Sequence, residues 1–520
     1  MFLYPDGRLQ EAGGIIFSDA SGWNYGRLDL PTKPEYLFSR EVDYISGACL
    51  MFRKSDWDDL GGFDSHFAPA YYEDTDLCFS MRKKGLSTCY VPSSKVIHFE
   101  GVSNGTDESS GMKRYQVINK AKFQQKWHDV LKENHFESSD FLFQAREHGK
   151  TKKTILVIDH YVPMFDKDAG SRSTFMYLKL FIEEGYKVIF MGDNFYPHQP
   201  YTEILQNDGV EVLYGDEYQS NWLSWLENNI TSIDVVYIHR PHIAKQYIDK
   251  IRSIKFHPKI VYFGHDLHFL RLQREEELSM KNTTGKTIEE WKSLELDVMK
   301  KSDVALYPSD FEVNAVKSLD PMINVDSIPL NWFDASFDIN NIEISKQPNL
   351  LFVGGFGHPP NKDGLMWFLQ EIFPEVVQQV PNVKLTIIGS KCPKEIFSLA
   401  NANISVLGEV SDELLKESYE NARIAIVPLR YGAGVKGKIL ESMSYGVPVV
   451  TTPIGAEGLP ENQEDYLSIA NSSEEFTKIV VQLVQNEHDS RDKAKQSFQV
   501  LKEYFSKDAA KKLINHFNLK

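Results

Sequence analysis

Thr154-Ile-Leu-Val-Ile-Asp159 is the stretch that most narrows what this chain can become. A continuous apolar run bounded by polar residues marks a strand buried on both faces, because a half-exposed strand would alternate. A helix-length amphipathic stretch, Ser171–Glu184, follows it, and then a second apolar run, Lys187–Met191. Further runs recur at Val210–Tyr214, Val235–Ile238, Ile260–Phe263 and Val304–Tyr307. The rhythm restarts at Asn349–Val353 and continues through Val383–Ile388, Ile404–Leu407, Ile424–Val427 and Val447–Val450, and the pattern is helical from Ser472 to Lys520. Strands that alternate with helices build parallel sheets covered on both faces.

The break near Pro329–Pro348 splits this rhythm into two units, which predicts two Rossmann-like α/β domains facing a cleft. Ahead of them, Met1 to about Phe143 is patterned differently: turn signals come early (Pro5-Asp6-Gly7, Gly13-Gly14, Gly22) and helical character late. A length of 520 residues fits three or four domains. Hydrophobic residues at 42% and charged residues at 25% exclude collagen, low-complexity disorder and a disulfide scaffold. No apolar run approaches the ~18 residues that span a bilayer, and Met1–Asp6 lacks the charged and apolar regions of a signal peptide. Four cysteines (Cys49, Cys78, Cys89, Cys392), none in CxxC spacing, fit a reducing compartment and read as buried small hydrophobes. Against 57 Lys and Arg stand 73 Asp and Glu, a net charge of −16, so counterion release gives no hold on nucleic acid. The polar tract Glu147–Lys153 reads as a linker.

The segment Pro428–Val450 reads strand end, glycine-rich loop, helix, turn, strand. Gly432, Gly434 and Gly437 let the backbone approach a ligand with its amides outward, the helix N-terminus beyond them is positive, and Lys436 and Lys438 add charge. Together they suit a diphosphate. Glu441 follows, placed to accept hydrogen bonds from the two hydroxyls of a ribose. A plain glycine-rich turn with a surface glutamate is the bland alternative. The next turn, Thr451–Leu459 with Gly455, falls at a carboxyl end of the sheet, where open α/β folds bind ligands.

These residues carry a resemblance. The run from Gly434 through Lys436, Lys438, Glu441 and Gly446 to Thr451, followed by Gly455-Ala-Glu-Gly-Leu459, resembles the donor-site signature of family 4 glycosyltransferases. The resemblance implies a GT-B fold over roughly Lys153–Lys520, with a nucleotide-sugar held by the second domain. It implies a retaining transfer without a protein nucleophile or a required metal, the acceptor attacking on the face from which the diphosphate leaves. Glu441 matches the ribose-binding glutamate. The family's other glutamate, eight residues earlier, is Ala433 here, and an arginine frequent after the first glycine of the donor domain is replaced by Gly355, next to Gly354. Lys362 or Asn361 stands in the neighbouring phosphate region, and Arg430 is either a substitute or one half of a surface salt bridge. In the preceding domain, Gly170 and Ser171 match the family's first glycine loop, or Ser171 is simply an N-cap. His265 resembles the histidine set beside the reacting sugar; His239, Asp266 and His268 are weaker candidates.

Residues 1–146 contain Ser46-Gly-Ala-Cys, Gly61-Gly-Phe-Asp64, Tyr72-Glu-Asp-Thr-Asp76 and His98. Asp74–Lys84 reads as a capped helix, acidic at its start and basic at its end. The ordered set resembles the acceptor half of family 2 glycosyltransferases, of GT-A fold. That resemblance implies Asp74 as general base and His98 as a contributor to a Mg²⁺ or Mn²⁺ site, both only if the GT-A half is completed. Asp74-Thr-Asp76 lies in the acceptor helix and is not the metal motif. Alone, this half is expected to be catalytically silent, with a partner chain as one source of the missing half.

The sequence therefore predicts an α/β chain: a partial GT-A acceptor half (1–146), a GT-B N-terminal Rossmann-like acceptor domain (153–335) with Gly170 and Ser171 in its acceptor or phosphate loop, a nucleotide-sugar-binding domain (346–505) and a C-terminal helix (506–520). The expected activity is glycosyl transfer from a nucleotide-sugar to a glycan or lipid-linked glycan in cell-surface polysaccharide synthesis, in the cytoplasm or at the inner face of the membrane, with peripheral membrane association allowed. Two rivals remain: a nucleotide-sugar 2-epimerase, for which no strong carboxylate pair is seen, and a non-catalytic sugar- or nucleotide-binding scaffold, which Ala433 and Gly355 favour.

Overall fold

The computed structural model describes residues 1–99, 112–277, 285–333, 344–432 and 434–517. They form two compact units, Met1–Ile238 with Lys250–Lys259, and His239–Asp249 with Ile260–Lys520.

In the first unit, four parallel strands lie in the order Val210–Leu213, Lys187–Gly192, Thr154–Asp159, Val235–His239. Every residue of Thr154–Asp159 is buried, as its unbroken apolar run requires. Each Ile, Leu or Val so enclosed contributes about 1.5–3 kcal/mol. The following helix, Ala169–Glu183, begins where the Asp168 side chain accepts the Ser171 amide at 2.8 Å. Residues 1–146 form three small sheets and a run of helices around an aromatic core of Phe67, Phe79, Phe123 and Trp127. They are fastened to the parallel strands. The Ser39 amide donates to the Gln206 carbonyl at 2.8 Å, Arg146 pairs with Glu211, and the Lys187 ammonium donates to the Gln144 and Glu147 carbonyls. The tract read as a linker is held as well: Lys152 pairs with Glu41, Lys150 with Glu137 at 2.7 Å, and His148 Nδ1 lies 2.7 Å from Asp43. Its lysines find carboxylates of residues 1–146, so its polarity serves a docked strap.

In the second unit, Lys259–Phe263, Val304–Tyr307 and Val325–Ser327 are parallel neighbours. A six-stranded parallel sheet has the order Ile404–Gly408, Lys384–Ile388, Asn349–Val353, Ile424–Val427, Val449–Thr451, Ser468–Ile469. The strands expected from apolar runs occur within a residue or two of their expected bounds, whereas Val325–Ser327 and Ser468–Ile469 are additions. Both are short and carry polar residues. The helical tail is cut at Asn486, whose side chain caps the helix Glu487–Tyr504 by accepting the His488 amide at 3.1 Å. Only Cys78 of the four free cysteines is buried; Cys49, in the short helical turn Gly47–Cys49, and Cys89, on a two-stranded sheet, are exposed, and Cys392 lies between.

Close packing at one glycine gives a sharp test. A Cβ on Gly364, in the helix Pro359–Trp367, would lie 2.3 Å from the Pro428 carbonyl oxygen. Gly364→Ala is expected to cost about 1–3 kcal/mol, read as a melting temperature lowered by several degrees with the same spectroscopic end states.

Candidate functional site

The glycine-rich loop leaves the strand Ile424–Val427 and enters the helix Gly437–Ser444. Gly432 and Gly434 take φ of +127° and +74°, conformations that favour glycine. Among the described residues no side chain caps the helix, and the Ile439 amide turns back to the Lys436 carbonyl at 2.9 Å. The Lys436 ammonium reaches back to the Gly434 carbonyl, and Lys438 donates to the Asn361 Oδ1. Asn361 in turn donates to the Gly355 carbonyl at 2.8 Å. Burial, then the charge of Lys436, lowers Lys438 to about 7. A Cβ on Gly354 would come within 2.9 Å of the Lys438 nitrogen, so this glycine leaves room for the lysine, whereas one on Gly355 would lie 3.1 Å from Ser390 Oγ. His358 belongs to the same patch: burial and the nearby Lys438, Lys436 and Arg271 hold its imidazole below the usual range. The positively charged corner thus consists of Lys436, Lys438 and a neutral histidine.

Glu441 sits one turn into the helix, where the buried Tyr419 hydroxyl donates to its Oε2 at 3.0 Å. The Tyr419 ring stacks on Tyr445 with centroids 4.7 Å apart. This fixes the carboxylate beside the loop. Lys362, by contrast, pairs with Glu395, and Arg430 pairs with Asp363 at 2.8 Å, both on exposed surface. Gly455 lies in the short helix Pro453–Ala456 after Val449–Thr451, its amide donating to the Thr452 hydroxyl, and a Cβ there would collide with Thr451 Oγ1. Ala433 lies outside the described residues.

His265 follows the strand Lys259–Phe263 with φ +66°, an uncommon conformation for a non-glycine residue. Its Nε2 lies 2.9 Å from His239 Nδ1, and its ring rests 4.6 Å from that of Phe263. Gly264 makes the turn feasible, since a Cβ there would strike the Tyr307 ring. His268 pairs with Asp266 and Glu295, whose charges overcome its burial and raise its pKa. It therefore organises the start of the helix His268–Glu277. In the first unit, Asp168 takes both the amide and the hydroxyl of Ser171, so the N-cap is Asp168 and the Ser171 amide is engaged; Gly170 precedes it in the first turn.

In residues 1–146, Asp74 stands in the first turn of the helix Glu73–Lys83 and accepts the Gly47 amide at 2.8 Å. Asp76 is turned inward to Trp127 Nε1 at 2.7 Å and to Lys126. The two carboxylates of Asp-Thr-Asp have separate tasks. Burial and the Asp74 charge push Glu11 up to about 7. His98 Nδ1 meets Gln10 Oε1 at 3.1 Å, and among the described residues it belongs to no His and Asp group close enough to share an ion.

Sequence reasoning missed His358, Tyr419 and Glu11. His358 follows a Gly-Phe-Gly turn, a local hint, whereas Tyr419 and Glu11 reach their partners only through the fold.

The architecture is shared with solved glycosyltransferases. TarM of S. aureus superposes with a TM-score of 0.55 at 11% identity, over 71% of this chain and 99% of that one. HepE of Anabaena, solved in complex with UDP, superposes with a TM-score of 0.51 at 12% identity, over 70% and 99%. The fold is GT-B. Residues 347–486 match the family model of glycosyl transferases group 1. The chain is 35% identical over 176 residues to an uncharacterized 44.6 kDa protein in the cps region of Klebsiella pneumoniae, covering 32% of this chain and 44% of the relative. It is 41% identical over 71 residues to the N-acetylglucosaminyl-diphospho-decaprenol L-rhamnosyltransferase of Mycobacterium tuberculosis, covering 14% and 23%. The chain thus spans less than half the length of these curated relatives. No helix among the described residues is long and apolar enough to cross a membrane.

Proposed function

We propose that this chain is a glycosyltransferase of nucleotide-sugar donors, working in the synthesis of a cell-surface polysaccharide. The observation that carries the proposal is the pairing of an uncapped helix start and two lysines with Glu441, which Tyr419 holds in place. The cps-region relative and the rhamnosyltransferase support the polysaccharide destination. Amides 434–438 with Lys436 and Lys438 would bind the diphosphate, and Glu441 the ribose hydroxyls. Lys438, His358 and the helix end would then stabilise the charge that develops as the diphosphate leaves, which no metal need do. His265, set by its backbone and by His239, would orient the sugar for attack by an acceptor hydroxyl on the same face. Residues 1–146 would add no chemistry of their own unless a second GT-A half completes them.

Calorimetric titration with UDP, GDP and dTDP tests this. One of them is expected to bind, UDP being the first to try given its place in the HepE structure. Glu441→Ala should weaken that binding by about 2–3 kcal/mol, or roughly 30–150-fold, through lost charge-assisted hydrogen bonds. If none binds, or if the variant matches the wild type, the transferase assignment fails.

A further inference from the structure

Asp43, His135 and His148 come together in the first unit, where each presents a ligand atom within 4.8 Å of the other two. They arrive from separate places: Asp43 just after the strand Arg40–Glu41, His135 at the end of the helix His128–Asn134, and His148 in the strap. The Asp43 and His135 side chains are 5% and 1% exposed, and that of His148 is 15% exposed. Asp43 Oδ1 lies 2.7 Å from His148 Nδ1, and its Oδ2 lies 3.4 Å from His135 Nδ1. Among the described residues these two imidazoles are the only ion-pair partners of the enclosed carboxylate. The Arg82 guanidinium donates instead to the main-chain carbonyls of Val42 and Asp43, at 2.9 and 2.8 Å. His135 also carries an unused atom. Its Nδ1 lies 2.8 Å from the Ile16 carbonyl, which only accepts, so a neutral imidazole keeps its proton there. Nε2 is then a lone pair, and that nitrogen is buried without a partner. A dication satisfies both an enclosed anion held only by imidazoles and an imidazole lone pair that the fold leaves idle.

We propose that Asp43, His135 and His148 bind one Zn²⁺ and that the ion clips the strap to residues 1–146. The site is independent of the transferase reading and shares no residue with the lysine-lined corner. One nitrogen from each histidine and a carboxylate oxygen form a donor set for Zn²⁺ rather than for Mg²⁺ or Ca²⁺, which take oxygen. Ligand atoms held at about 2.0–2.1 Å from a tetrahedral ion stand about 3.3 Å apart, so small side-chain rotations close the cluster on it. Three protein ligands leave a fourth position to water, and the exposed edge of His148 lets both ion and water in. The strap already leans on the same stretch: the His148 amide donates to the Glu41 carbonyl at 2.9 Å, and Lys152 pairs with Glu41. Asp43 and His148 are 105 residues apart in the chain. An ion joining them closes that loop, which stabilises the folded unit by restricting the unfolded chain.

Equilibrium dialysis of the untagged full chain against buffered Zn²⁺, after a chelator has been applied and removed, tests the site. One Zn²⁺ per chain is expected to be retained, and X-ray absorption of that sample should show two imidazoles together with oxygen around the metal, a readout that needs no variant. His148→Gln keeps a donor for Asp43 but offers no ligating ring nitrogen. It should fold with an unchanged circular dichroism spectrum and bind Zn²⁺ about 100-fold or more weaker, at least the worth of an outer contact to a metal ligand. Zn²⁺ at a hundredfold excess over Kd should raise the wild-type melting temperature by about 5–10 °C. It should also slow tryptic cleavage within Lys150–Lys153, and it should do neither in His148→Gln. The inference is overturned if the wild type retains no ion, if the absorption spectrum shows oxygen ligands alone (an adventitious ion only), if His148→Gln binds as tightly as wild type, or if bound Zn²⁺ changes neither melting nor cleavage.

Discussion

UDP binding is expected to weaken by about 50-fold between pH 7 and pH 9, and Lys438→Met is expected to abolish that dependence. The sign follows from the lysine's setting. Burial, then Lys436, lowers free Lys438 to about 7, so half of the molecules carry the charge at pH 7 and about one in a hundred at pH 9. A bound diphosphate restores the charge, since an opposite charge at contact favours the ionised form. Binding above pH 7 therefore takes up a proton, and calorimetry in two buffers of different ionisation heat will show it. The nucleotide's own last phosphate ionisation, near 6, lies outside the window. So does His358, which is held below the usual histidine range. At pH 7, Lys438→Met should lose about 10–100-fold in affinity, the worth of a charged hydrogen bond in a half-buried site. The same depression has a counterpart in stability. Without ligand the folded chain holds Lys438 less protonated than the unfolded chain does, so its contribution rises as pH climbs from 7 toward 10. A pH-independent affinity in the wild type would refute this account.

The buried centre of the fold was legible because its signal is local. Ile155–Ile158 and Ile424–Val427 are unbroken apolar runs, as a doubly covered strand requires. Val325–Ser327 and Ser468–Ile469 were not legible, because short strands with polar residues are shaped by their neighbours. The donor corner was read from Gly432 to Glu441 because glycines, lysines and a carboxylate fall within one loop and helix turn. Asn361 was read as part of the phosphate region, but His358, at the start of the same helix, and Tyr419, from the helix Asp412–Glu420, were hidden, and only the parallel crossings bring them to the loop. Glu211 shows the same limit: it stands as a carboxylate inside the apolar run Val210–Leu213, a visible anomaly whose partner lies 65 residues away.

That partner makes the largest stability prediction. Arg146 and Glu211 are both buried, with side chains 3% and 1% exposed, and they form two hydrogen bonds, one of 3.1 Å between Nη1 and Oε1. Arg146 also lies against the Phe143 ring at 4.3 Å, and its carbonyl accepts from Arg40. Arg146→Met keeps most of the volume and removes the charge, leaving Glu211 enclosed without a counterion. Breaking one side of a buried pair costs about 3–5 kcal/mol. For a unit of this size that corresponds to a melting temperature lower by about 10 °C. The loss should depend on pH in a defined direction. Burial already raises the Glu211 carboxyl, Arg146 opposes that, and without the arginine it rises further. A carboxyl whose folded value lies above its unfolded value gains stability as pH falls through the folded value, so the variant should recover part of the loss as pH is lowered toward the ordinary carboxyl range. Arg146→Met with Glu211→Leu should recover most of it at pH 7, since an apolar pair of similar volume needs no counterion. Because Arg146 belongs to the segment that joins residues 1–146 to the strand Val210–Leu213, the single variant should also expose the aromatic core around Phe123 to proteolysis earlier than the six-stranded sheet. A single variant that melts within 2 °C of wild type, a shift of less than about 1 kcal/mol, would mean that the pair is solvated and that residues 1–146 are held to those strands by other contacts.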